Sequence, residues 1–169
     1  MTVGQLFFSS RGRIGRTQWW IGIVAVFVLY VSGQLVGTMV HHWDSFAAGQ
    51  FMRAALKVPV LYLAYCVVAK RCHDCDERPI WALAVVALGG LEVAWSVAEA
   101  VRQFDKAFII NTHLALLAAR SALVSVLVVL LGYRRGTVGD NRYGPDPVAH
   151  RAPPQSDGQV SSGDSNAAR

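Results

Sequence analysis

The chain has 169 residues, 53% of them apolar and only 16% charged, with a formal net charge of +5. This is too apolar for an ordinary soluble domain. The positive charge sits in short flanks of long apolar stretches, so it does not read as a nucleic-acid footprint, and no nucleic-acid partner is expected.

The first segment, Gly12 to Trp20, carries Arg13 and Arg16 beside the Trp19-Trp20 pair. Residues 19–40 then hold no charged side chain, and at 1.5 Å per residue they make a helix of about 33 Å, enough for a hydrocarbon core of about 30 Å. A signal peptide has a shorter apolar core and a small-residue cleavage site, so this span reads as an uncleaved anchor. Its arginines and tryptophans fit a positive flank with an aromatic belt at headgroup depth. Guanidinium forks also match phosphate and carboxylate geometry, which makes Arg13 and Arg16 candidate contacts for an anionic headgroup or an acidic partner.

The second span is read over residues 54–69. Arg53 and Lys57 lie four apart near its start, with stems in the apolar zone and heads reaching water. Pro59 is placed close to the first turn, where a missing donor costs least. The segment Lys70 to Asp74 follows, with Arg71, His73 and Asp74. Cys72 and Cys75 form one C-x-x-C without a second pair. Adjacent ligands at a helix end suit tetrahedral zinc poorly, so neither a metal nor a cofactor is expected. Neighbours on a helix project about 100° apart, so His73 and Asp74 read better as helix-end bonding groups than as a catalytic pair; no catalytic residue is assigned.

Residues 80–101 form the third span, with Glu92 and Glu99 seven apart on one helical face. Residues 114–133 form the fourth, containing Arg120. Charges at such depth cost a few kcal/mol unless paired. Measured from the far ends of the spans, Arg120 lies at about 9 Å, between Glu99 at about 3 Å and Glu92 at about 13 Å, so Arg120 is expected to pair with one of them.

After the fourth span, Arg134 to Pro147 is dense in Gly, Asn, Asp and Pro and reads as a structured loop. Asn141 and Asp146, with Asp140, are placed to accept bonds from arginines of the other segments, while Arg142 and Tyr143 are its recognition-capable side chains. Residues 148–169 lack large apolar groups and are expected to form a disordered tail, leaving 1–147 as the membrane domain. The fold class is therefore all-α and polytopic, with four transmembrane helices and both termini on one side. The termini side holds Arg11, Arg13, Arg16, Lys70, Arg71, Arg78, Arg134, Arg135, Arg142 and Arg151, against Arg53, Lys57, Arg102, Lys106 and Arg120. Cytoplasmic flanks carry the excess, so both termini are expected in the cytoplasm.

Three ordered motifs stand at the span ends: Gly12-Arg13-Ile14 with Arg16 and Trp20, then Arg71 with His73-Asp74, then Asn141 to Pro147. In these the chain resembles the domain-of-unknown-function 805 family, small proteins of the bacterial inner membrane with four helices, over about residues 4–147. Cys72 stands where that family usually has an apolar residue, and Asp76-Glu77-Arg78-Pro79 replaces a flexible Gly-containing stretch. The resemblance implies fold and membrane location, and no activity. The expectation is a non-enzymatic protein whose three polar segments form one cytoplasmic cap for anionic lipid or a protein partner. Arg13, Arg16 and Arg71 are the anion contacts, with His73, Asp74, Asn141 and Asp146 as internal struts. The alternative is a small oligomeric transporter or channel using Glu92 and Arg120.

Overall fold

The structure, a computed structural model, describes residues 3–102 and 104–148. A short helix α1 (Val3–Phe7) precedes four long ones: α2 (Arg16–Trp43), α3 (Phe46–Asp74), α4 (Ile80–Val101) and α5 (Lys106–Leu127), the last continued by a π-helical turn, Val128–Gly132. All four are long and apolar enough to cross a membrane. The expected disordered tail lies, apart from Val148, outside the described residues.

Three of the four long helices start where a local side chain accepts from a main-chain N–H of the first turn or its cap. Gln18 accepts from the Gly15 N–H at 3.1 Å, Ser45 accepts from the Ala48 N–H at 3.1 Å, and Asp105 accepts from Ala107 at 3.0 Å. Pro79 stands immediately before α4, a position its missing donor tolerates.

The helix α4 covers the same residues 80–101 as the third apolar stretch, whereas α3 begins eight residues before and ends five after 54–69, and α5 begins eight residues before 114. Arg53 and Lys57 do not mark the start of a helix because both find partners inside the bundle. Arg53 donates to Thr38 Oγ1 at 2.9 Å, and Lys57 Nζ lies 3.6 Å from Glu92. Pro59 is consequently mid-helix, removing the donor that would meet the Ala55 carbonyl. Trp19 also departs from the expected belt: it is fully buried, and only Trp20 faces outward, edge-on to Tyr133.

The interior holds an apolar core around Ile14, Trp19, Val67, Val68 and Leu131 together with several charges, and the exterior is apolar as well. Arg13, Lys70, Arg71, Asp74, Glu92 and Glu99 are buried, while Phe27, Leu35, Leu83, Leu91 and Ile110 are each more than half exposed. An apolar exterior, with charges withdrawn from it into the bundle, is what a bilayer solvent selects. The helix α3 packs on both α2 and α4. Small residues permit the approach: a Cβ on Gly22 would stand 2.8 Å from Val67, and one on Gly49 would stand 2.8 Å from the Gly37 carbonyl of α2.

Candidate functional site: a stapled polar cap and an intramembrane charge cluster

The three polar segments meet at one end of the bundle, around Asp74. This carboxylate ends α3 and receives Arg13 Nε at 3.3 Å on Oδ1 and Arg71 Nη1 on Oδ2. Arg13 also donates to the carbonyls of Gly139 at 2.6 Å, Gly144 at 3.3 Å and Thr137 at 2.5 Å, and to Thr137 Oγ1 at 3.0 Å. Arg71 reaches the carbonyls of Leu131 at 2.7 Å, Ile14 at 3.3 Å and Arg134 at 2.6 Å. The π-helical turn ending α5 contributes to that acceptor set, since Leu131 belongs to it. Gly136 is needed for space alone: a Cβ there would stand 2.1 Å from Asp74 Oδ2.

Sequence reasoning made Arg13 and Arg71 anion contacts. The structure turns both inward, 5% and 0% exposed, with their donors occupied by one carboxylate and a set of carbonyls. Those carbonyls belong to residues whose side chains carry no signal, so the inward orientation was not legible. Only Arg16 of the three is exposed.

The other cap residues are arranged as follows. His73 stacks flat on Tyr143, with ring centroids 3.9 Å apart, and its Nδ1 lies 3.2 Å from the Gly12 carbonyl. A carbonyl only accepts, so Nδ1 carries the proton. Asn141 donates to the His73 carbonyl and to Thr137 Oγ1, both at 2.9 Å. Asp146 accepts from Gly139 N at 3.0 Å and from Val148 N at 2.8 Å, bonds that order its own loop. Arg142 pairs with Asp76 at 3.0 Å, both exposed. Thr137 was missed by sequence reasoning, yet it also donates to the Asp74 carbonyl and so ties the loop to α3.

Lys70 is buried, with Nζ donating to the Leu6 carbonyl of α1. Cys72 and Cys75 are buried free thiols, and burial pushes the Cys75 thiol above its ordinary pKa. Among the described residues no three His, Cys, Asp or Glu side chains converge as metal ligands would.

The second constellation lies within the helices. Glu92 stands 3.7 Å from Arg120 and 3.6 Å from Lys57. Arg120 also donates to Tyr30 OH and sits over the Tyr30 ring at 4.5 Å. Glu99, the other expected partner of Arg120, is instead held by Gln50 and lies 2.8 Å from His113 Nε2. Lys57 was expected to snorkel; its amine faces Glu92 and Ser96, the latter at 3.3 Å. Tyr30, Gln50 and His113 were not anticipated; Tyr30 is a single polar residue in an apolar run.

Four long helices apolar enough to cross a membrane, with an apolar exterior and interior charges, define a multi-pass membrane protein. The chain belongs to the family described as "Protein of unknown function (DUF805)", which matches residues 7–145. It is 30% identical over 151 residues to the "Uncharacterized protein YiiR" of Escherichia coli strain K12, covering 86% of this chain and 90% of that protein. The same values hold for YiiR of Escherichia coli O157:H7. No solved structure matches the chain.

Proposed function

We propose that this is a non-enzymatic protein of the bacterial inner membrane, with both termini cytoplasmic, whose cap is a rigid platform for the anionic headgroups of the cytoplasmic leaflet. One observation carries this reading. The buried arginines of the cap are saturated from within, whereas Arg11, Arg16, Arg78 and Arg135 around it are exposed, with no acidic partner among the described residues. Fixed unpaired cations at a membrane face attract anionic lipid at about 1 kcal/mol each. The excess of Lys and Arg on that side supports a cytoplasmic face, and the bacterial relatives support a bacterial membrane. The stacked His73 and the doubly occupied Asp74 support a structural role rather than a catalytic one.

Native mass spectrometry from nanodiscs of mixed zwitterionic and anionic lipid tests the platform. The Arg11→Gln, Arg16→Gln, Arg135→Gln triple variant should fold normally and retain fewer anionic lipids than the wild type. Equal retention overturns the reading, and a co-purifying protein or second copy released by the same substitutions would replace lipid as the partner. The transport alternative rests on a different observation, that two cavities within the bundle meet at Glu92 and Arg120. Proteoliposome flux that survives Glu92→Gln and Arg120→Gln counts against those residues as its path.

A further inference from the structure

Two chambers lie between the helices. The larger, about 440 Å3, is lined mainly by apolar side chains such as Ile23, Leu61, Val85 and Leu123. The smaller, about 220 Å3, is lined by polar ones including Gln50, Arg53, Trp95 and His113. Tyr30, Lys57, Glu92 and Arg120 line both, so the two form one amphipathic space. Its larger part is in the range of pockets that bury small ligands.

The polar part is short of acceptors. Arg53, Lys57 and Arg120 line it against one carboxylate, Glu92. Glu99 stands behind, outside the lining: its Oε2 accepts from Gln50, and its Oε1 lies 2.8 Å from His113 Nε2 and is otherwise an unpartnered buried acceptor. Lys57 and Arg120 share Glu92. Arg53 meets only neutral acceptors, Thr38 Oγ1 at 2.9 Å and Gln50 Oε1 at 3.3 Å, and its Nε is buried without a partner. Trp95 Nε1, from the same lining, is likewise buried and unpartnered. Both orphans are donors, and buried donors without acceptors are costly and rare. With both carboxylates ionised, the three cations leave one positive charge over.

The direction of the space is informative. Arg53 and Lys57 are seven and eleven residues into α3, at depths of about 10 and 16 Å from the end opposite the cap. From Arg120 the apolar part runs toward the cap as far as Val128, about 12 Å along α5. An amphiphile of the leaflet opposite the cap has this orientation, with its head toward its own surface and its tail toward the midplane.

We infer that the space binds one single-chain amphiphile with a monoanionic head, the head among Arg53, Lys57 and Arg120 and the tail in the apolar chamber. The anion supplies the missing negative charge and the acceptors that Arg53 Nε and Trp95 Nε1 lack. Carboxylate and phosphodiester heads share this chemistry.

The test uses the full chain in zwitterionic nanodiscs, titrated with 9,10-dibromostearate, whose mid-chain bromines quench nearby tryptophan. Trp19 and Trp95 line the two chambers and serve as reporters. Saturable quenching is expected, with the neutral methyl ester about tenfold weaker and Arg53→Gln weakening the acid by a similar factor, the scale of a hydrogen bond to a charged group. Val124→Trp fills the tail chamber from α5, a helix that buries only Leu127, and should abolish saturation of the original reporters. Lys106→Gln, an exposed cation outside both linings, should change nothing. A brominated lysophosphatidylglycerol distinguishes the head: tighter binding than the acid supports a phosphodiester, weaker binding a carboxylate. Equal binding of the methyl ester and the acid, measured on the wild type, overturns the inference. So does unchanged quenching in a folded Val124→Trp variant.

Discussion

The cap and the intramembrane cluster contain the same kinds of groups, arginines beside a carboxylate, and differ in how those groups are satisfied. In the cap, Arg13 and Arg71 enclose Asp74, and their remaining donors end on main-chain carbonyls and a threonine. In the cluster, Glu92 serves two cations and Arg53 has no carboxylate partner among the described residues. The closed network is a staple, because breaking any part strands a buried charge. The open one has unfilled capacity, and unfilled capacity is where a ligand gains affinity.

The largest expected effect follows from the staple. Asp74→Asn preserves shape but leaves two buried guanidiniums without their shared counter-charge, a loss of about 3–5 kcal/mol. Thermal unfolding in detergent should show a marked fall in Tm, with the loop after α5 becoming susceptible to protease. A variant as stable as the wild type would mean that the carbonyls alone hold the arginines, and the contrast between the two regions would collapse.

Next comes Gly136→Ala, which adds one methyl where a Cβ would lie 2.1 Å from Asp74 Oδ2. The carboxylate must shift away from both arginines, at a cost of about 1–3 kcal/mol for overpacking. The same substitution at Gly15, which also stands outside the helices and where a Cβ meets nothing within 4 Å, controls for the added methyl. Equal Tm values for the two variants would contradict the packing around Asp74.

How far these regions could be read from sequence differs in a physically simple way. The four helices were legible because apolar length is a property of contiguous residues. The second span was misjudged because Arg53 and Lys57 look like a boundary until Thr38 and Glu92 are seen opposite them. Arg71, His73, Asp74 and Asn141 stood out as polar residues at span ends, and the structure does bring them together. Which of them faces inward depends on carbonyls of Ile14, Leu131, Gly139 and Gly144, and main-chain acceptors leave no mark in a sequence. The same limit hid Thr137, whose hydroxyl donates to the Asp74 carbonyl.

The cluster yields a smaller effect of the opposite character. Arg53→Met removes a cation with no carboxylate partner and replaces its stem with an apolar side chain of similar reach. Since a buried charge contributes little net stability and an orphan donor costs some, the variant should unfold within about 1 kcal/mol of the wild type or above it. A fall comparable to that of Asp74→Asn would make Arg53 a structural strut and remove the distinction between the two regions.

The smallest expected effect isolates burial from chemistry. Arg134 and Glu77 form an ion pair at 2.6 Å, shorter than the contact of Arg13 with Asp74 at 3.2 Å, but both side chains are substantially exposed. An exposed pair gains little because water already solvates both charges, typically about 0.2–1 kcal/mol, and salt screens it. Arg134→Gln should therefore lower Tm slightly at low ionic strength and hardly at all near 0.5 M salt, on the order of a Debye length of 4 Å. Its backbone carbonyl, which accepts from Arg71, is retained in the variant, so the measurement reads the side chain alone. If Arg134→Gln instead matched the loss at Asp74, distance rather than desolvation would govern the cap, and the saturated interior would no longer explain its stability.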